Sequence, residues 1–466
     1  MSLATSIRRN VALFLAGLGG VALSVSGAAA QPLDAALAAA YVNNPTLNAQ
    51  RAGTRAMDEN VPKALSGYRP VVTGAVSAGF NATNMRTATS QGVVNTYADA
   101  WPTSFSLTVA QSLFDGFQTA NSTESAESQV RGSRETLRNT EQVVLLQSVT
   151  AYMNVIQAIA LLDLQNENLR ALEQELRATR DRFNVGEVTR TDVAQAEARV
   201  ADAQYGVSQA VANLSSARAA YRQVIGVEPG KLSFPSSIER MIPNKVASVI
   251  SRGLADHPAI KASQFAVDTA LFQVKVAEGA LLPNLSLQGQ VAQSNASSIN
   301  TSRLGNAAVS LNLSVPIYQG GVEYANIRQS KELLTQARIE VDVNRDTVRA
   351  QAVQFWGSLE ASKAQIGAAQ AAVAANTLAL QGVREEWRVG QRTTTDVLNA
   401  QRDLTNSRSS LVIAQRDRVV AAYSLVATVG RLDSTSLRLK VQNYNPVVHY
   451  NQVRDSWAGV RTPDGQ

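Results

Sequence analysis

Cysteine is absent from all 466 residues, which excludes disulfides, thiolate metal sites and a lipid anchor on an N-terminal cysteine. Histidine is nearly absent: His257 and His449 are the only two, and neither stands in a metal-ligand spacing. No GxxxxGK, GxSxG or HExxH string occurs, so phosphate-loop, nucleophile-elbow and zincin chemistries have no carrier. The carboxylates fall mostly on helical stretches as a solvated face. No enzyme, catalytic residue, cofactor or metal is therefore expected. Aromatics make up 5% of the chain and charged residues 17%, unlike a compact enzyme. The net charge of +6 includes Arg8 and Arg9, which lie in a segment expected to be removed. The remaining +4 over 436 residues makes no basic patch of the kind nucleic acid needs.

Long apolar runs are also missing. Arg8 and Arg9 precede one over residues 11–25, and Ala28-Ala29-Ala30 offers small residues for cleavage before Gln31. Residues 1–30 thus read as a secretory leader. A membrane anchor is the alternative, but this run is short of the roughly 20 residues that a spanning helix needs. Beyond it nothing approaches 18 consecutive apolar residues. An exported chain of this kind is either soluble outside the cytoplasm or crosses a membrane as strands.

What is present is a duplication. Phe183-Asn184-Val185-Gly186 returns as Trp387-Arg388-Val389-Gly390, and Thr191-Asp192-Val193 as Thr395-Asp396-Val397, each 204 residues later. Pro45 and Pro70 answer Pro258 and Pro283 at a shift of 213. The nine-residue difference places a length change between Pro70 and Phe114, and such changes usually sit in surface loops. Units this long are not solenoid repeats; one structure with internal pseudo-symmetry is expected.

Residues 117–183 hold 67 positions without a proline, and residues 321–387 repeat that length. At ~1.5 Å per residue each helix would be roughly 100 Å long. Leu145, Val149, Tyr152, Ile156, Ile159 and Leu162 form a heptad-like seam. A second helix of each copy, 191–226 and 395–430, carries apolar residues seven apart, with Ala196, Ala203, Ala210 and Ala217 three later; Arg418 is the departure in the second copy. The turns between carry Val185-Gly186 and Val389-Gly390, glycine supplying the positive φ of a helix C-cap. Thr191-Asp192 and Thr395-Asp396 offer N-cap chemistry. A third helix is expected over 33–66 and again over 244–279, stacked end to end with the shorter arm alongside the long helix. An ordinary helical bundle would share this periodicity.

Strands are expected at 70–82 and 103–114, then at 284–293 and 307–317. They alternate apolar with small or polar residues, as in Val309-Ser310-Leu311-Asn312-Leu313-Ser314-Val315, so each meets oil on one side and water on the other. Tyr97, Trp101, Phe114 and Tyr318 lie near strand ends, as interfacial aromatics do. A half-buried soluble sheet fits the alternation equally. In lipid, however, four strands would leave two open edges, so several copies would have to share one barrel.

The strongest motifs are Ser314-Val315-Pro316-Ile317-Tyr318-Gln319-Gly320-Gly321, Arg182-Phe183-Asn184-Val185-Gly186 with Thr191-Asp192-Val193, and 389–398, which reads Val-Gly-Gln-Arg-Thr-Thr-Thr-Asp-Val-Leu. In these the chain resembles the TolC-like outer-membrane efflux and type I secretion channels over essentially its whole mature length. The resemblance implies a mixed α and membrane β-barrel fold. A homotrimer of the internally duplicated chain would form a 12-stranded outer-membrane barrel continued by a 12-column α-helical periplasmic tunnel. The repeats would span 31–230 and 244–430, with an equatorial linker at 231–243 and an equatorial segment and polar tail at 431–466, of which 451–466 reads as disordered. The implied partners are outer-membrane lipid, a periplasmic adaptor and an inner-membrane ABC or proton-driven (RND-type) pump.

The resemblance also implies a gate. Arg392 would be its cation, with Asp192 and Thr191 as partners on a neighbouring coil. Trp387 stands where relatives often carry tyrosine, so a hydroxyl is lost. Asp396 matches an acidic position lining the constriction, and Asn399 stands where a second acid is common. Val185, Gly186, Val389 and Gly390 would form the adaptor-docking turns. On the residues alone, Asp192 and Asp396 also read as plain N-caps and Arg392 as a solvated charge. A periplasmic adaptor is the rival function, since adaptors use long helical hairpins; one hairpin with lipoyl-like and small β-barrel modules would be their pattern, against two copies with long strands here.

Overall fold

Prolines set the first breaks in the chain. The computed structural model describes residues 31–466 apart from 299, 300, 464 and 466; the expected leader lies outside them. The continuous helix expected over 33–66 is three pieces, α1 (Leu33–Asn43), α2 (Pro45–Asp58) and α3 (Asn60–Leu65). Its counterpart divides into α6 (Val246–Asp256) and α7 (Pro258–Gly279). Pro45 and Pro258 push the residue before them out of the helical region: Asn44 has ψ 122° and His257 ψ 124°.

Both break residues cap the following helix. Asn44 Oδ1 accepts from the Leu47 N–H at 3.1 Å, and His257 Nδ1 accepts from the Ala259 N–H at 3.3 Å. Burial pushes the His257 imidazole down from 6.5 to about 4, so it stays neutral and keeps the accepting lone pair. The unfolded chain then binds the proton first, and stability falls as pH drops from 6.5 towards 4. His257→Asn, which restores the cap of the other copy, is expected to flatten that loss in thermal melts recorded across this window.

The first copy holds four strands rather than two: β1 (Val71–Ala78), β2 (Asn81–Thr89), β3 (Gly92–Ala100) and β4 (Thr103–Phe114). The extra length is not an irregular loop, because β2 and β3 pair as a separate antiparallel ribbon. In the second copy β5 (Asn284–Ser298) and β6 (Thr301–Ser314) pair well beyond the expected inner ends; the polar run there keeps the two-residue alternation. The expected last residues, 315–317, are not strand, since Pro316 has no N–H to donate.

One antiparallel sheet has the order β1-β4-β5-β6. Its register puts Val72 and Val76 beside Val109 and Phe105, Leu107 beside Val291, and Leu287 beside Leu311. All of these lie on one face and are exposed; Val76 and Val309 are each 80% accessible. The opposite face carries Ser104, Ser106, Thr108, Gln288, Gln290, Ser310 and Asn312.

Two antiparallel hairpins make the rest. The first is α4 (Gln118–Asn184) with α5 (Arg190–Ile225), the second α8 (Val322–Arg388) with α9 (Thr394–Thr428); α4 and α8 have 67 residues each. Ala196, Ala203 and Ala210 are buried on α5, as the heptad requires. Arg418 does not join that seam. Its guanidinium pairs at 2.8 Å with Glu239, in the segment between the repeats.

The main core lies mid-column, where Leu37, Leu145, Tyr152, Tyr221, Leu425 and Leu432 pack together. Buried Tyr152 bonds the carbonyls of Gln31 and Ser233 at 2.8 and 2.7 Å, tying the chain start and the inter-repeat segment to α4. Helical structure runs a short way into the stretch expected to be disordered, as far as Val453. Helix α10 (Pro446–Val453) buries His449, whose Nδ1 lies 2.9 Å from Asp58 Oδ2. Arg69 then holds Trp457 in a cation–π contact at 4.8 Å. These contacts anchor the chain as far as Trp457.

Candidate functional site at the hairpin tips

The two tips end in the same local device. Gly186 and Gly390 take φ of 82° and 78°, which lets each long helix stop and the chain reverse. Val185 and Val389, the preceding residues, are each 70% exposed. The N-caps are Thr189 and Thr393, not the expected Thr191 and Thr395. Asp192 and Asp396 complete capping boxes from the N3 position.

Asp396 Oδ2 accepts from the Thr393 N–H and hydroxyl at 3.0 and 2.9 Å. These bonds, with Arg392 nearby, hold its carboxyl below the usual range. Asp192 makes the equivalent bonds to Thr189 at 2.9 and 2.7 Å. Arg392 is engaged by Glu386 at 2.7 Å, a contact that raises its guanidinium pKa. Among the described residues of this one chain, Arg392 and Asp192 form no bond to each other. Thr191 is exposed on the first turn of α5, and Asn399 is half-buried three residues along α9 from Asp396.

Trp387 is buried at 7% exposure, and its indole N–H donates to Thr394 Oγ1 at 3.3 Å. The ring thus keeps a hydrogen bond without a tyrosine hydroxyl. Arg182 lies 3.9 Å from the ring centroid and donates at 3.2 Å to the carbonyls of Trp387 and Arg388. It therefore fastens the end of α4 to the end of α8. Further links join the hairpins: Thr395 to Gln195 at 2.6 Å, Thr405 to Asn168 at 3.1 Å and Arg416 to Asn154 at 2.8 Å.

Arg182 and Gln195 were not singled out as site residues from sequence. A signal existed in the duplication. At the 204-residue shift Arg182 falls on Glu386 and Val188 on Arg392. The copies differ in charge at the positions that hold the two tips together.

The geometry defines a class: a duplicated helical column with an oil-faced sheet at one end and two capped hairpins at the other. Solved outer-membrane channels share this fold. The chain superposes on the CmeC channel of Campylobacter jejuni with a TM-score of 0.74, at 17% identity over 91% of this chain and 89% of that one. The family follows from sequence. Residues 36–227 and 249–431 match the "Outer membrane efflux protein" family, and this chain belongs to it. It is 45% identical to the outer membrane efflux protein BepC of Brucella suis over 453 residues, 96% of either chain. It is 26% identical to the outer membrane protein TolC of Escherichia coli over 413 residues, 85% of this chain and 82% of that one. The chain is thus an outer-membrane exit channel for efflux or secretion, in a family of channel and transport proteins, and not a periplasmic adaptor.

Proposed function

We propose that three copies of this chain close their sheets into one 12-stranded barrel and their helices into a 12-column periplasmic tunnel. The observation that carries the proposal is the sheet. Its exposed apolar face and its unpaired borders, β1 and β6, are incompatible with lipid unless a neighbouring copy completes the ladder. The polar face then lines a water-filled passage. The repeats and equatorial segments take the boundaries given by the sequence, and the channel passively receives cargo from an inner-membrane ABC or RND-type pump through a periplasmic adaptor. Exposed Val185 and Val389 at the capped tips give that adaptor an apolar foothold.

The closed state is held at the tips. In the assembly the exposed Arg392 side chain exchanges Glu386 for Asp192 and Thr191 of a neighbouring copy. Exposed ion pairs are individually weak, so a partner protein can release them. Three Asp396 carboxylates around one axis form a cation-attracting ring, with Asn399 below as a neutral second tier.

Chemical crosslinking of the detergent-extracted protein and single-channel recording test this together. A trimer that conducts is the expected result, with block by a trivalent cation weakened at least about tenfold by Asp396→Asn. A mature chain that stays monomeric and dissolved in plain buffer ends the proposal.

A further inference from the structure

A cavity of about 430 Å³ lies beside the mid-column core, between α2, α4 and the segment that follows the second repeat. Its walls include Arg51, Arg134, Glu141, Ser434 and Tyr444. The two guanidinium groups are held in place by aromatic rings. Arg51 sits 4.4 Å from the Tyr41 centroid and 5.5 Å from that of Tyr444; Arg134 sits 5.0 Å from that of Tyr450. Arg51 spends Nη1 on Asn48 at 2.8 Å. Its Nη2 is buried without a hydrogen-bond partner in the protein, as are Nε and Nη2 of Arg134 and the Tyr444 hydroxyl.

The acceptors nearby are hydrogen-bonded to other groups, although Arg134 feels the charge of Asp58 and Arg51 that of Glu141. Glu141 accepts from the Ser434 N–H at 2.7 Å, Asp433 from the Ser436 N–H at 2.7 Å, and Asp58 is bound by His449 at 2.9 Å, though its second oxygen is unpartnered. The third arginine of the wall, Arg138, is paired with Glu135 at 2.8 Å. Unpartnered donors therefore outnumber unpartnered acceptors around the cavity. Leaving a buried charged donor unpaired is costly, and native proteins rarely do so without a bound partner.

We infer that this cavity is an oxyanion site, in which the free edges of Arg51 and Arg134 and the Tyr444 hydroxyl converge on a carboxylate or phosphate group. The planar guanidinium fork matches both oxyanions. The site is far in sequence from the tip residues and rests on none of the gate assignments.

Isothermal titration calorimetry on the intact detergent-extracted protein tests it, with citrate and inorganic phosphate as probes at constant chloride. Saturable binding of one anion per chain is expected. Arg51→Gln and Arg134→Gln each weaken it at least about tenfold, and Tyr444→Phe weakens it a few-fold. Tyr444→Phe removes only a hydroxyl, so it keeps the test valid should an arginine variant fold poorly. Binding of citrate alone assigns a carboxylate, of phosphate alone a phosphate, and of both a general oxyanion site. No heat from either probe, or binding indifferent to all three cavity variants, overturns the inference and leaves the donors to water.

Discussion

Arg182→Ala is expected to open the periplasmic tips. The wild-type side chain packs on buried Trp387 and caps two carbonyls at the end of α8. A largely desolvated cation–π contact contributes about 2 kcal/mol, and a hydrogen bond from a charged donor about 1.5–3 kcal/mol. These contributions overlap, so a net loss of about 2–4 kcal/mol is reasonable, a shift of roughly 30- to 800-fold towards the released hairpin. Single-channel recordings should show longer and larger openings than wild type. Arg392→Ser should act in the same direction but more weakly, because that side chain is exposed. If Arg182→Ala conducts like wild type, the fastening of α4 to α8 has no part in closure. Unchanged conductance in Arg392→Ser would remove the proposed gate link.

Gly116→Val is expected to be the most damaging single substitution at the junction of sheet and column. Gly116 has φ +67°, and a Cβ there would meet the Gly279 carbonyl oxygen at 2.3 Å and Leu282 at 2.9 Å. Gly279 faces back: its own added Cβ would meet the Gly116 carbonyl oxygen at 2.6 Å. A left-handed conformation costs a non-glycine residue roughly 1–2 kcal/mol, and overpacking about 1–3 kcal/mol more. Here the nearest obstructing group is a backbone carbonyl at the end of α7, with little room to yield. Loss of folded protein from outer-membrane fractions is the expected readout. Gly320→Val supplies the control, since Gly320 has the same φ of +67° but open space around it. Equal loss in both variants would mean that backbone conformation alone, and not the close approach, is limiting.

The helical half of this fold was legible because long proline-free stretches and sevenfold spacing admit few alternatives. Both 67-residue helices stand one residue from their expected positions. The break at Asn44 was missed because the helical pattern resumes directly after Pro45. The ribbon β2–β3 was missed for a different reason: its threonines, asparagines and alanines offer no apolar face to alternate. At the tips, glycine was readable from local chemistry, whereas the caps were misplaced: Asp192 and Asp396, read as N-caps, stand at N3, and the capping threonines lie two residues before Thr191 and Thr395. The Arg182 clamp was not readable from one copy alone. A cation over a ring on a distant helix leaves no local pattern, only a mismatch between duplicated positions.

That mismatch has a consequence for how the polypeptide finds its native arrangement. Arg182 in the first half and Glu386 in the second are reciprocal in sign at one offset. A folding chain that let its halves trade places would set a carboxylate against the carbonyls of a helix end, where Arg182 now donates. Duplicated halves risk mistaken identity, and a single pair of opposed charges at the far end of the column acts as a check on which half is which.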